Sequence, residues 1–317
     1  MKNYIVRRLI LMIPTMLIVT LIVFFSIRVI PGNIVDIMLA EHSQISGATI
    51  ASINHSLGFD VPVYTQYGRW LWAIISRGDL GKSLWSGTPV IQYISSRLSV
   101  TFELAVLALI VALIISIPIG VYSAIRQDTI NDYIGRSVAI FCIAIPDFWL
   151  ATLVVVFPSL WWKWSPPMSV TPFNENPIKN LGQFIIPSII LGMGFAGVMM
   201  RMTRTMMLDV MRNDYIRTAW AKGLKEKEVV LRHAFKNVLI PIITLVGIQL
   251  PVLLGGTVII ERIFILPGIG SLLLDSVSQR DYTIVAGILL LIGASIQFIN
   301  LGIDLTYGYF DPRIRYR

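Results

Sequence analysis

Six apolar runs alternate with polar segments along the chain, at roughly 9–30, 98–125, 137–160, 184–203, 239–260 and 284–308. Each is about as long as the ~20 residues a helix needs to cross the hydrocarbon core of a bilayer. The pattern predicts an all-α integral membrane protein of six transmembrane helices in a single domain, 1–317. The first run follows Lys2, Arg7 and Arg8, as in a signal peptide. It is long for one, and no small-x-small cleavage site follows, so it reads as a retained helix with Arg28 snorkelling at its far end. The loop 31–97 contains one amphipathic stretch, where Val63, Tyr67, Trp70, Leu71 and Ile74 recur at helical spacing. Its Tyr and Trp suit either a headgroup boundary or a docking surface for an external partner.

Prolines and glycines punctuate the runs, among them Pro14, Pro118, Pro251, Gly192, Gly194 and Gly197. Small residues let helices approach closely in a bundle. In the last run Gln297, Asn300 and Asp304 fall within about 60° of a helical wheel. Polar groups facing lipid are costly, so this stripe is expected to face the bundle interior or a pore, with Gln249 and Thr257 in the fifth run as further pore candidates.

Composition agrees with the pattern. The chain is 55% apolar and 14% charged, against about 25% charged in soluble domains. The net charge is +8, and its placement matters more than its size. With the N-terminus inside, the inner segments 1–8, 126–136, 201–238 and 309–317 hold 17 Lys/Arg, while the outer ones hold 8. The positive-inside rule therefore favours N-in, C-in. Topology accounts for the basic excess, and no nucleic-acid partner is expected. Cys142 is the only cysteine, and the three histidines form no ligand pair at helical spacing, so neither a disulfide nor a metal site is expected.

Catalytic motifs are missing. "GDLGKS" (Gly78–Ser83) has two residues between its glycines, where a phosphate-cradling loop needs about four. No nucleophile elbow, zinc-protease motif or dinucleotide fingerprint occurs, and the carboxylates are scattered. No catalytic residue is assigned.

The segment 201–238 is the longest on the inner side. Asp209–Lys222 reads as one helix ended by Gly223, and Glu226–Val238 as a second, with Pro241 at the membrane entry. Small residues beside the turn would let a partner surface close over the backbone. Arg217 and Lys222 could pair with acidic groups on that partner.

This segment contains "RTAWAKG" (Arg217–Gly223). Elsewhere the chain has "RVIPGN" (Arg28–Asn33), "LGFDVPVYTQYGRWL" (Leu57–Leu71), "GDLGKSL" (Gly78–Leu84), "RLSVTFELA" (Arg97–Ala105), "LLGGTVIIERIFILPGIG" (Leu253–Gly270), "RDYT" (Arg280–Thr283) and "DPRIRYR" (Asp311–Arg317). Together they resemble the membrane subunit of a bacterial ABC importer of the dipeptide/oligopeptide/nickel permease family. Ala219 and Gly223 match the core of that family's EAA loop. Arg217 and Thr218 replace the Glu-Ala of the general signature, and the stretch from Gly223 to Pro241 is longer than in many importers. The peptide branch commonly shows both departures. Asn33 stands where the family often has Asp.

The resemblance implies a type I importer fold in a bacterial or archaeal cytoplasmic membrane. It implies a second related permease, most simply a heterodimer partner, together with two ATPase subunits carrying ATP and Mg, and an extracytoplasmic binding protein. This chain itself would carry no cofactor. Asp214, Tyr215, Arg217, Thr218, Ala219, Lys222 and Gly223 would form the coupling helix that seats in an ATPase. Tyr67, Trp70, Glu261, Pro267 and Gly268 are candidate contacts for the binding protein. The cargo stays open among peptides, nickel chelates, glutathione and oligosaccharides. An ATPase-independent secondary transporter is the alternative of another class.

Overall fold

The computed structural model describes residues 2–29 and 61–310. Among them the regular elements are helical, with an isolated antiparallel bridge between Lys82 and Pro89 as the extended feature. The motifs within 30–60 and 311–317 lie outside the described residues. Helix α1 covers Lys2–Val29, α2 Val63–Arg77 and α3 Val90–Ile125. The 36 residues of α3 reach about 54 Å at the α-helical rise. Its polar first turns, with Gln92, Ser95 and Arg97, therefore project past the apolar run from which it was recognised.

The third apolar run is broken. Helix α4, Ile130–Ala144, and helix α5, Asp147–Trp162, meet at 86°. The cause is local. Pro146 forces the preceding residue out of the helical region, and Ile145 sits at φ −87°, ψ 122°. An unbroken helix over 137–160 was expected from hydropathy, which does not register this effect.

Helix α6 runs Pro177–Met211. The Asn176 side chain caps it by accepting from the Lys179 N–H at 3.0 Å, and Pro177 follows at a position whose N–H has no helical acceptor. Helix α7 is Asp214–Ala221. Helix α8 is one rod, Glu226–Ile263, with a π turn at Val229–Ala234 and Pro241 and Pro251 inside it. Helix α9 is Ile269–Ser278 and α10 is Tyr282–Phe310. Among the described residues five helices are long and apolar enough to cross a membrane, and six if α4 and α5 count as one span.

The 201–238 segment differs from expectation in two ways. Asp209–Lys222 is not one helix. The Asn213 side chain donates to the carbonyls of Asp209 and Val210, ending α6, and its own backbone is extended at the start of α7. A short amide competing for helix carbonyls is a common terminator. Nor is Glu226–Val238 a separate helix, because it runs straight into the fifth span. A proline inside a membrane helix is tolerated when neighbouring structure satisfies the freed carbonyl.

The chain folds as two compact units, one within Ser99–Ser271 and Phe298–Arg317, the other within Lys2–Leu98 and Leu272–Gln297. The first is built on α6, which packs against α4, α5 and α8. Its core includes Leu104, Ala108, Phe184, Leu191, Met199 and Leu253. A Cβ added at Gly192 would lie 2.6 Å from the Ala108 carbonyl oxygen, and one at Gly197 2.7 Å from that of Ala139. These two glycines do the close packing expected of small residues in spans.

In the second unit Val23 of α1 packs with Ala286 and Leu290 of α10, flanked by Val19, Trp70 and Ile74. Two motifs far apart in sequence meet here. The Ser83 hydroxyl donates to Asp281 Oδ2 at 2.6 Å, the Leu84 N–H reaches the same oxygen at 3.1 Å, and the Trp85 indole donates to the Gln279 carbonyl at 2.9 Å. "GDLGKSL" is thus a structural clasp on "RDYT", consistent with its rejection as a phosphate loop.

Large apolar side chains stay exposed on the spans: Phe102 by 65%, Ile114 by 66%, Ile140 by 65% and Val252 by 63%. Exposed apolar surface on this scale fits a lipid solvent.

Candidate functional site

Helix α7 has a short amphipathic pattern. Ile216 and Ala219 are buried, while Asp214, Tyr215, Arg217 and Thr218 are exposed, as are Lys222 and Gly223 beyond it. The inward pair joins Val229, Val230 and Ala234 of the π turn in the apolar core. A π turn widens the helix locally. Here its buried face is the seat on which α7 rests.

Further bonds hold the seat. Asn237 Nδ2 donates to the Tyr215 hydroxyl at 3.0 Å, and the Thr218 hydroxyl donates to the Asp214 carbonyl at 3.0 Å. Arg217 and Asp214 pair at 3.4 Å on the surface, where such a pair contributes little. Arg126, just past α3, pairs with Glu226 at 3.3 Å.

Gly223 adopts φ +75°, as the sequence predicts, and its N–H bonds the Trp220 carbonyl at 2.9 Å. Among the described residues no atom lies within 4 Å of where its Cβ would be. The coupling candidates thus share one exposed helix and the turn that follows it, except Ala219, which is 6% exposed and faces inward.

The remaining candidates are dispersed. Tyr67 and Trp70 turn inward onto α1. The Tyr67 hydroxyl and Thr20 Oγ1 are 2.9 Å apart, and the Phe24 ring lies 5.2 Å from Tyr67 and 5.5 Å from Trp70. The outward face of α2 consists instead of Tyr64, Trp72 and Ile75, which are 77%, 68% and 67% exposed. Periodicity had identified the apolar stripe of α2, and an apolar stripe packs.

Glu261 is fully buried. Its carboxylate accepts from the Thr101 hydroxyl at 2.7 Å and from the Ser271 N–H at 2.9 Å, while Thr101 accepts from the Ile269 N–H at 2.8 Å. Gly268 is also buried, and a Cβ there would run into the Glu261 carboxylate. Pro267 is half-buried. The loop between α8 and α9 is therefore wound around a buried carboxyl group, and in this conformation Glu261 offers no surface to a partner.

Of the pore candidates, Thr257 is fully buried and donates to the Leu254 carbonyl at 2.8 Å. Gln249 and Gln297 are half-buried and Asn300 is exposed. Asp304 lies in α10, and its side chain is outside the described residues. Two further carboxylates sit within the apolar helices and were passed over in sequence. Glu103 lies in α3, with one oxygen buried and unbonded among the described residues. Asp147 opens α5 at the helix break, against Gly194. Their position inside apolar runs was the available signal.

Comparison with known proteins gives a consistent result. A family model described as binding-protein-dependent transport system inner membrane component matches residues 116–316. A second, for the N-terminal part of such membrane components, matches residues 1–105. The chain is 39% identical over 316 residues to a candidate peptide transport system permease protein of Brucella abortus, covering all of both chains. It is 36% identical over 340 residues to the dipeptide transport system permease protein DppB of Escherichia coli K12, again covering all of both. It is 38% identical over 317 residues to the glutathione transport system permease protein GsiC of Pectobacterium atrosepticum, with the same full coverage. Among solved structures, an inward-facing MetNI methionine ABC transporter matches with TM-score 0.56 at 15% identity, over 70% of this chain and 97% of that one.

Proposed function

The chain belongs to the family of binding-protein-dependent transport system inner membrane components, and from that premise we propose that it is the pore-forming subunit of an ATP-driven importer for peptides or a related small solute. It has the fold of a type I importer permease and is a multi-pass transport subunit rather than an enzyme. The names of its relatives include peptide, dipeptide and glutathione systems. On this reading ATP and Mg are bound by two separate ATPase subunits. A second related permease completes the pore, and an external binding protein supplies the cargo.

The observation that carries the reading is the build of α7. Its apolar side is fixed on the π turn of α8, while Asp214, Arg217, Thr218 and Lys222 face outward. A helix fixed on one side and polar on the other can seat in an ATPase groove and pass its motion to a span as a rigid body. Alternating access then follows from ATPase closure rather than from chemistry in this chain. The N-terminus, the C-terminus and α7 are assigned to the cytoplasm from the distribution of Lys and Arg.

The test is purification from native membrane in mild detergent, followed by uptake in proteoliposomes. A related permease and ATPase subunits should co-purify, and uptake should stop when ATP is replaced by a non-hydrolysable analogue. ATP-independent uptake by this chain alone would establish a secondary transporter instead.

A further inference from the structure

Between α3, α4 and α6 lies a cleft of about 320 Å³. Its walls are apolar, formed by Ile119, Ala139, Ile140, Ile143 and Met200. Arg136, Arg201 and Arg204 also line it, and among the described residues no carboxylate does. A greasy cleft with three guanidinium groups calls for an occupant that is apolar at one end and anionic at the other.

The three arginines are not equivalent. Arg204 donates Nε and Nη2 to the two oxygens of Asp132 at 2.7 and 2.6 Å. Asp132 is fully buried and also accepts from the Ser123 hydroxyl and the Asp128 N–H, both at 3.0 Å. That pair is neutral overall and rigid, and it serves as a wall. Arg136 and Arg201 are exposed. Arg136 lies 5.5 Å from the Tyr133 ring. Among the described residues neither makes an ion pair. The cleft therefore carries two positive charges that its own lining does not compensate.

The cleft continues onto an exposed apolar surface. Ile134, Val138 and Phe141 recur at helical spacing along α4 and are 56%, 38% and 59% exposed. Ile140, which lines the cleft, is 65% exposed. Arg136 and Arg201 stand at the polar ends of the third and fourth apolar runs, the depth of a phospholipid headgroup. Clefts of this kind between spans suit anionic headgroups.

We propose that this cleft is a binding site for an anionic phospholipid. The headgroup phosphate lies between Arg136 and Arg201, and the acyl chains lie along Val138 and Phe141. Guanidinium groups suit the phosphate because they bind oxyanions through planar, paired donors. The apolar bed favours a lipid over a free anion. The site takes no part in the proposed coupling surface.

The experiment uses the full chain in nanodiscs, which expose both faces, so its outcome is independent of the orientation proposed above. The discs contain phosphatidylcholine alone or an equal mixture with phosphatidylglycerol. Lipid retained after detergent extraction is counted by native mass spectrometry. The wild type should retain phosphatidylglycerol in at least about fivefold excess over phosphatidylcholine, a difference of about 1 kcal/mol. The Arg136→Gln/Arg201→Gln variant should lose that excess. Arg136→Lys/Arg201→Lys, which keeps the charge, should retain part of it and controls for folding. Equal retention by wild type and the Gln variant would overturn the site. Displacement of phosphatidylglycerol by millimolar inorganic phosphate would overturn the lipid assignment in favour of a small-anion site. Capture of ATPase subunits by the Gln variant should be unchanged, which separates this test from that of the transport function.

Discussion

At Gly223 the backbone is left-handed, and the space around the missing side chain is open. The two facts separate two roles for a glycine. If the turn alone matters, a residue that tolerates positive φ should serve. Asn does so, whereas a β-branched side chain there costs about 1–2 kcal/mol and strains the turn. Gly223→Val should therefore abolish ATP-dependent uptake while the protein remains in the membrane, measured by transport alongside membrane fractionation. Gly223→Asn should keep most of the activity. Loss of uptake in the Asn variant as well would mean that a partner needs the empty space itself. The turn was legible in the sequence because glycine after a helical run is a strong stop signal. The inward direction of Ala219 was not, since a helix of 8 residues offers two turns of pattern and its partner surface is a π turn with no sequence signature.

Among the elements, the loop joining α8 to α9 depends most on one side chain. Removing the Glu261 carboxylate strands the buried Thr101 hydroxyl and Ser271 N–H together. Each orphaned donor costs about 1–3 kcal/mol. Glu261→Ala should lower the thermal midpoint of the purified protein and speed hydrogen exchange across residues 264–270. Unchanged exchange there would mean that the loop is held by its apolar contacts instead. The spans themselves were readable, because length and hydropathy decide them. Their breaks were less so. Asn213 and Pro146 act through a side-chain amide and a ring clash, each a single-residue effect that an average over some twenty positions conceals. Helix α2 shows the same limit from another side. Its apolar stripe was found correctly, yet what lies beneath it is α1, a helix more than thirty residues away in sequence.

For the molecule as a whole, the orientation proposed from charge can be tested directly because Cys142 is the only cysteine and is buried. After Cys142→Ala, a cysteine at Lys227 should react with an impermeant maleimide only in inside-out vesicles, and one at Met168 only in right-side-out cells. The opposite result at both sites would invert the topology. The architecture and family could be read from sequence almost end to end, since each motif lies in one contiguous stretch. Pairings between distant stretches, such as Ser83 with Asp281 and Thr101 with Glu261, could not, because no single motif contains both partners.

The π turn at Val229–Ala234 has a mechanical consequence. It holds one more residue than an α turn would, at the seat of α7 and just before the span that follows. Passing that extra residue one place along the rod needs only an exchange of neighbouring backbone bonds. Each such step re-registers only the residue passed, by about 100° and about 1.5 Å, and leaves the helix on either side in place. The connection from α7 to the span can thus re-aim one side chain at a time while the rod on either side stays in place.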